Sequence, residues 1–372
     1  MTRILILTAG YGEGHNSAAR ALRDAFAEHP GTEAEMIDLF ALRAPRLNAL
    51  SRRAYLGMIN HVPAIWSGTY RWLDRSPRAP LLFRALRSHT QLLARLIREK
   101  NPDALVCTYP VYPWLLAGLR AAGEPLPPIY TVVTDAITIN SLWYRAPADG
   151  WFVTDPDSAE VLLQAGVPPG RVHVTGFPVA SAFADRAPSL QPPDPRQSSQ
   201  RRILYMINSD RARALETARA LLLWKNWHLT ITAGRDRVLQ DKLVRLTRGA
   251  PAQADVLGWT DRIPHLLMTH HVVISKAGGA TTQESINALC PMLVNQIVPG
   301  QEEGNYELLR RHGAGALAET PMALVNFLHH ALDGEAALWR RWRENLKKIA
   351  RPAAARDIAA QVLKACIAEV LV

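Results

Sequence analysis

The spacing of apolar positions divides the chain into two similar halves. Before residue 185, the runs RILILTA, ALVCTY, IYTVVT, WFVT and RVHVTG are short and rich in Val, Ile and Thr, which predicts buried strands. Stretches of helical period such as HNSAARALRDAFAEH lie between them. This alternation predicts a parallel sheet with helices on both faces. The segment from Arg186 to Arg202, RAPSLQPPDPRQSSQRR, is dense in proline and polar residues without apolar period, and reads as a linker. The alternation then restarts: RILYMIN, HLTITAG, ADVLG and HVVIS read as strands, GATTQESINAL and NYELLRRH as helices. Domains are therefore expected at 1–185 and 203–350. From Glu335 to Val372 the pattern is helical except at Arg351-Pro352, where proline has no N–H to donate and disfavours helix at the residue before it.

A chain of 372 residues suits two such domains, and 48% hydrophobic with 20% charged residues is the composition of a folded protein with a sizeable core. The apolar run in MTRILILTAGYGEGH breaks at glycine too early for a signal-peptide core. No stretch approaches the roughly 18 to 20 uninterrupted apolar residues of a spanning helix, so any membrane contact is expected to be peripheral. The three cysteines, Cys107, Cys290 and Cys366, lie far apart and outside any C-x-x-C spacing, which suits a reducing cytoplasm and excludes the usual zinc patterns.

Charge changes the picture more than composition does. Between Arg43 and Lys100 there are twelve basic residues against Asp74 and Glu99 alone, so this segment accounts for the whole formal net charge of +10. Trp66, Tyr70, Trp72 and Phe83 are interleaved with the arginines. From Leu82 to Arg98 the period is helical: Arg84, Arg87, Arg95 and Arg98 share one face, and Leu82, Leu86, Leu93 and Ile97 the other. A cationic amphipathic helix beside aromatic residues is expected to meet an anionic membrane surface. No zinc-finger, RNA-binding or helix-turn-helix pattern is evident, so nucleic acid is not an expected partner.

Two stretches carry candidate chemistry. The first strand runs into Thr8-Ala-Gly-Tyr-Gly-Glu-Gly-His15, where Gly10, Gly12 and Gly14 permit close backbone approach and His15 stands near a helix N-terminus. Between Val272 and Gly315, a strand, the turn Gly278-Gly279, a helix carrying Glu284, a second strand and Pro-Gly-Gln-Glu-Glu-Gly-Asn alternate. Helix N-termini with nearby carboxylates and amides suit a nucleotide sugar, whose diphosphate seeks N–H donors and whose hydroxyls seek acceptors.

SKAGGATTQES followed by PGQEEGN is similar to the donor signature of glycosyltransferase family 28, which includes the diacylglycerol glycosyltransferases and the peptidoglycan N-acetylglucosaminyltransferase acting on lipid I. Five further blocks resemble that family in the same order: TAGYGEGH, VVTDAITINSLW, GFPV, TAGRD and VLGWTDRIPHLL. The resemblance implies a GT-B fold, two Rossmann-like domains with a cleft between them and a C-terminal helix, 351–372, returning to the first domain. It implies an inverting transfer of a hexose from a UDP-sugar to a membrane lipid acceptor, with diacylglycerol the first candidate. The enzyme is expected in the cytoplasm, peripheral on the inner face of the cell membrane.

By matched positions, Glu284 would accept from the ribose hydroxyls and Gln301 and Glu302 from those of the hexose, with Asn305 closing the same motif. Gly278, Gly279 and Thr281 would face the diphosphate, and backbone groups around Gly258 and Trp259 the uracil. His15 would be the base, with Asp135 a carboxylate that orients the acceptor or takes the place of His15; Gly12, Gly14, Asn140 and Trp143 would belong to the acceptor side. No cofactor beyond the UDP-sugar co-substrate and no metal is implied, the chain being read as free of an Asp-x-Asp metal motif. Three positions depart from the family pattern: Ala277 replaces the proline of K-P-G-G, Met206-Ile-Asn-Ser-Asp-Arg211 replaces a glycine-rich turn, and Asn140 stands near a usual histidine. The alternatives are a UDP-GlcNAc-dependent transferase or 2-epimerase of the same fold, and a non-catalytic nucleotide-sugar-binding protein.

Overall fold

The computed structural model describes residues 1–46, 48, 50–51, 68, 72, 74–76, 82–208, 210–300 and 302–370, with the side chains of 84 and 368–370 left out. Trp66, Tyr70 and Gln301 therefore lie outside the described residues. The chain forms two compact units, one made of Met1–Ser181, Pro299–Gly304 and Arg351–Val372, the other of Ala182–Val298 and Asn305–Ala350.

In the first unit the elements are β1 (Thr2–Thr8), α1 (Glu13–Ala27), β2 (Thr32–Asp38), α2 (Leu39–Arg43), α3 (Arg87–Lys100), β3 (Ala104–Cys107), α4 (Val111–Ala121), β4 (Ile129–Val132), β5 (Gly150–Val153), α5 (Pro156–Gln164) and β6 (Val172–Val174). The strands form one parallel sheet in the order β2-β1-β3-β4-β5-β6. Side chains alternate across a strand, so β1 serves both faces. Leu5 and Leu7 join a core with Leu93 and Ile97 of α3 and Leu115 and Leu116 of α4, whereas Ile4 and Ile6 meet Leu22 and Phe26 of α1. Each such side chain contributes about 1.5–3 kcal/mol relative to exposure.

The second unit repeats the plan with α6 (Ala182–Arg186), β7 (Arg201–Met206), α7 (Arg211–Leu222), β8 (Trp227–Thr232), α8 (Arg237–Thr247), β9 (Gln253–Leu257), α9 (Ile263–Thr269), β10 (Val272–Lys276), α10 (Gly279–Asn287), β11 (Met292–Gln296), α11 (Glu303–Arg311), β12 (Gly315–Leu317), α12 (Pro321–Leu332) and α13 (Ala337–Ile349). Its parallel sheet runs β12-β11-β10-β7-β8-β9. The segment 186–202 begins at the last residue of α6 and ends on the first two residues of β7.

The helical C-terminal stretch breaks between Ile349 and Ala354, around Arg351-Pro352, before α14 (Ala354–Val370) begins. Ile358, Ala359 and Val362 of α14 pack with α1 against the face of β1 that carries Ile4 and Ile6. Gly176 makes room for the chain entering α14: it has φ +100, and a Cβ there would lie 2.7 Å from the Arg351 Cβ. Arg356 adds a bidentate pair to Glu28 at 2.6 and 3.1 Å.

The strands β2 and β12 escape the apolar pattern. TEAEMID is an edge strand whose Glu33 and Glu35 are exposed, and charges on an edge discourage pairing with other chains. β12 has only three residues, none fully buried.

The strand order of each sheet reverses once, between β1 and β3 and between β7 and β10. In open parallel sheets, ligands bind beyond the carboxyl ends of the strands at such a switch point. His15 follows β1 and Asn208 follows β7, one at each switch.

Candidate functional site

In the first unit, Gly12 caps α1 with φ 126 and ψ 138, a conformation open to glycine alone, and no side chain caps the helix. Gly14 and His15 fall in the first turn of α1. The His15 ring is 8% exposed, with Nδ1 2.9 Å from the Thr134 hydroxyl and a ring N–H on the Thr108 carbonyl. Tyr109 packs against it edge-on at 5.1 Å between ring centroids, and Trp143 lies at 5.9 Å. Burial lowers its pKa from 6.5 to about 4, outweighing the Thr108 bond, so the ring is neutral at pH 7.

Asp135 is half-buried just beyond β4, and its Oδ2 accepts from the Trp143 indole N–H at 2.8 Å. Trp143 is 1% exposed and closes a 3-10 turn, Ser141–Trp143. The Asn140 side chain is buried and accepts from the Leu142 N–H at 3.1 Å, which makes it the cap of that turn. Two further indoles hold the same loop: Trp114 donates to the Leu142 carbonyl and Trp151 to that of Trp143, each at 3.0 Å. Thr108 and Thr134, which touch His15, were not singled out from sequence. Their only mark is their place at the carboxyl ends of β3 and β4.

The segment Pro299–Gly304 belongs to this unit, and Glu302 in it is buried at 5% exposure. Gly304 approaches the loop after Asp135 closely enough that a Cβ would stand 2.0 Å from the Ala136 carbonyl oxygen. Ile137, between Asp135 and Thr138, has φ 58, an uncommon backbone for a β-branched residue.

In the second unit, α10 starts at Gly279 with Gly278 as its cap, and no side chain caps it. Its N-terminal end therefore presents Gly278, Gly279 and Thr281, and Glu284 stands half-buried one turn further on. Asn305 is buried and donates to the Ala277 carbonyl at 3.0 Å, which fastens α11 to the turn before α10. Asn208 donates to the Ser275 hydroxyl at 2.7 Å and so spans the β7/β10 switch.

The altered turn after β7 does not leave α7 open to an anion. Asp210 caps it, accepting from the Ala212 and Arg213 N–H groups, and Arg211 pairs bidentately with Asp236 at 2.6 and 2.9 Å. Trp259 is 65% exposed, with the Arg235 guanidinium 5.7 Å from its ring centroid. A Cβ at Gly258 would meet the Gln240 Oε1 at 2.9 Å.

Among the described residues, Arg87, Arg95 and Arg98 are exposed on α3, while the Arg84 side chain lies outside them. Arg98 is bound bidentately to Glu124 at 2.8 and 2.9 Å, so part of its charge is answered within the fold. A groove of ≈ 830 Å³ between α3 and α4 is lined by Phe83, Arg87, Gln91, Ala94, Trp114 and Leu115, among others.

One reading is corrected. An Asp-x-Asp spacing does occur, at Asp155-Pro156-Asp157. Asp155 caps α5, accepting from the Ser158 N–H at 2.8 Å and the Ser158 hydroxyl at 2.7 Å, so its carboxylate is committed to the helix start. No group of three or more potential metal ligands is present among the described residues. The three cysteines are buried and free, and burial pushes the Cys290 thiol up to about 12. Among the described residues, no helix is long and apolar enough to cross a membrane.

Residues 15–179 match the family model described as monogalactosyldiacylglycerol (MGDG) synthase. The chain is 24% identical over 351 residues to a processive diacylglycerol beta-glucosyltransferase of Bacillus pumilus, covering 93% of this chain and 91% of that protein. It is 23% identical to the protein of the same description from Bacillus thuringiensis, over 97% of this chain and 93% of that one. Among solved structures it is similar to MurG of Acinetobacter baumannii, with TM-score 0.64 and 14% identity, over 98% of this chain and 100% of that one. It is also similar to the UDP-GlcNAc 2-epimerase of Neisseria meningitidis bound to UDP-GlcNAc, with TM-score 0.61 and 12% identity, over 98% and 100%. The two Rossmann-like sheets and these likenesses give the chain the GT-B fold.

Proposed function

We propose that this chain, a relative of the diacylglycerol glycosyltransferases, is an inverting transferase that moves a hexose from a UDP-sugar to a membrane lipid, most simply diacylglycerol. The observation that carries the reading is the extent of the sequence likeness. It runs through 93% of the chain, so both units take part in it rather than one alone. The likeness to 2-epimerases is one of fold, at 12% identity, and carries no activity.

In the proposed reaction the acceptor hydroxyl gives its proton to His15 as its oxygen attacks the anomeric carbon, and the bond from that carbon to the UDP oxygen breaks with its electron pair on the diphosphate. A neutral imidazole is ready to take a proton, and the low pKa of His15 supports that state. Asp135, oriented by Trp143, would hold the acceptor or the ring. The uncapped start of α10 suits the charge growing on the diphosphate, and Glu284 suits the ribose hydroxyls. With helix dipoles in that role, the proposal includes no resident metal. The exposed arginines of α3 and the groove beside them favour contact with an anionic lipid surface.

The test is UDP release and lipid glycosylation, measured by mass spectrometry with a set of UDP-hexoses and liposomes containing diacylglycerol. UDP release that requires the lipid, with a glycolipid product, is expected. UDP release without lipid, or interconversion of the sugar alone, would overturn the proposal.

A further inference from the structure

Asp74 is one of two acidic residues in the otherwise basic segment from Arg43 to Lys100, and it is half-buried. Its carboxylate accepts from the Ser141 N–H at 2.6 Å, and its backbone carbonyl accepts from the Ser141 hydroxyl. Both bonds run from Ser141 to Asp74 and join residues 67 positions apart. Ser141 is 2% exposed, so its N–H has little access to water, and a buried donor without a partner is costly. Asp74 also lies near enough to Tyr144 to help raise its pKa, after burial.

Ser141 opens the 3-10 turn that ends in Trp143, whose indole N–H holds Asp135. Asn140 caps the turn from inside and Trp114 ties it to α4. Asp74 holds its first residue, Ser141. Displacing Ser141 moves Trp143, and with it the group that orients Asp135 beside His15.

We infer that Asp74 is a positioning residue for the lipid acceptor: by accepting from the Ser141 N–H and the Ser141 hydroxyl it holds the turn Ser141–Trp143, and with it the indole bound to Asp135, in the place expected to meet the acceptor. The inference rests on the proposed function. Neither Asp74 nor Ser141 needs to touch a substrate for it to hold.

The experiment compares the full-length wild type with Asp74→Ala, Asp74→Asn and Ser141→Ala. Asparagine keeps an oxygen for the Ser141 N–H; alanine does not. For Asp74→Ala, kcat/KM for diacylglycerol in liposomes is expected to fall roughly ten- to hundredfold, the usual effect of losing a charged hydrogen bond, while UDP affinity by calorimetry stays unchanged. Asp74→Asn should restore most of the loss, and Ser141→Ala should add little to Asp74→Ala in the double variant. Hydrogen exchange of the amides at 140–144 should quicken in Asp74→Ala. Acceptor kinetics like wild type in Asp74→Ala, or an equal fall in UDP affinity, would overturn the inference. A wild type that glycosylates no lipid overturns the proposed function instead; exchange at 140–144 then still decides whether the tie exists.

Discussion

The low pKa of His15 predicts a specific response to acid. In the folded chain the ring is buried and titrates at about 4; unfolded, it returns to 6.5. Between those values the unfolded chain binds the proton and the folded chain does not, so stability rises with pH across the window. The contribution of this ring is complete above about 6.5 and is lost as pH falls toward 4, with a full size of about 3 kcal/mol. Between about pH 7.5 and pH 5 the loss should be about 2 kcal/mol. His15→Gln abolishes that term and has no direct effect on His270 and His271, which burial also lowers to about 4 in the second unit. Urea unfolding of wild type and variant at the two pH values, followed by a probe in the first unit, should show the wild type losing about 2 kcal/mol more. In kinetics, wild-type kcat/KM should hold level below pH 6.5 and fall only near 4, because the neutral ring persists. His15→Ala should lower kcat by roughly a hundred- to ten-thousandfold with little change in UDP affinity. An apparent pKa near 6.5 in kcat/KM that vanishes with His15, or equal acid sensitivity in wild type and variant, would refute the buried-ring argument. Near-normal turnover in His15→Ala with a large loss in Asp135→Asn would pass the base role to Asp135.

Glu284→Ala should weaken UDP binding roughly ten- to hundredfold, the worth of a charge-assisted hydrogen bond, and unchanged affinity by calorimetry would reject the ribose assignment. Replacing Arg84, Arg87, Arg95 and Arg98 by glutamine should release the protein from vesicles containing anionic lipid, and binding of the wild type should fall with salt; cosedimentation equal before and after would make the stripe a solvated face. Gly304→Ala sets a Cβ 2.0 Å from the Ala136 carbonyl oxygen, so the segment 299–304 must shift at a cost of about 1–3 kcal/mol; an unaltered thermal transition would show that this approach is looser.

The two parallel sheets were legible because parallel strands buried on both faces read as continuous apolar runs. RILILT is such a run, and its alternate residues feed two separate cores. TEAEMID was not legible as a strand, because an edge position lets Glu33 and Glu35 face water and erases the apolar signal. The proline at 352 marked the break before α14, since the missing N–H acts locally whatever the rest of the chain does.

The site was legible only as far as its chemistry is local in sequence. The glycines before His15 and the glycine turn before α10 could be read because a strand, a tight turn and a helix follow one another in a few residues. The partners of His15 could not: Thr108 and Thr134 meet it from two other strands, and a threonine at a strand end is otherwise unremarkable in composition. Asn140, read from sequence as an acceptor-side residue, has a local partner that its spacing did not show: its side-chain oxygen accepts from the Leu142 N–H and caps its own 3-10 turn. The Asp74 tie joins both lessons. Charge counting marks Asp74 as one of only two acids among the arginines, yet only the fold brings it to the N–H of Ser141, where a buried amide requires an acceptor.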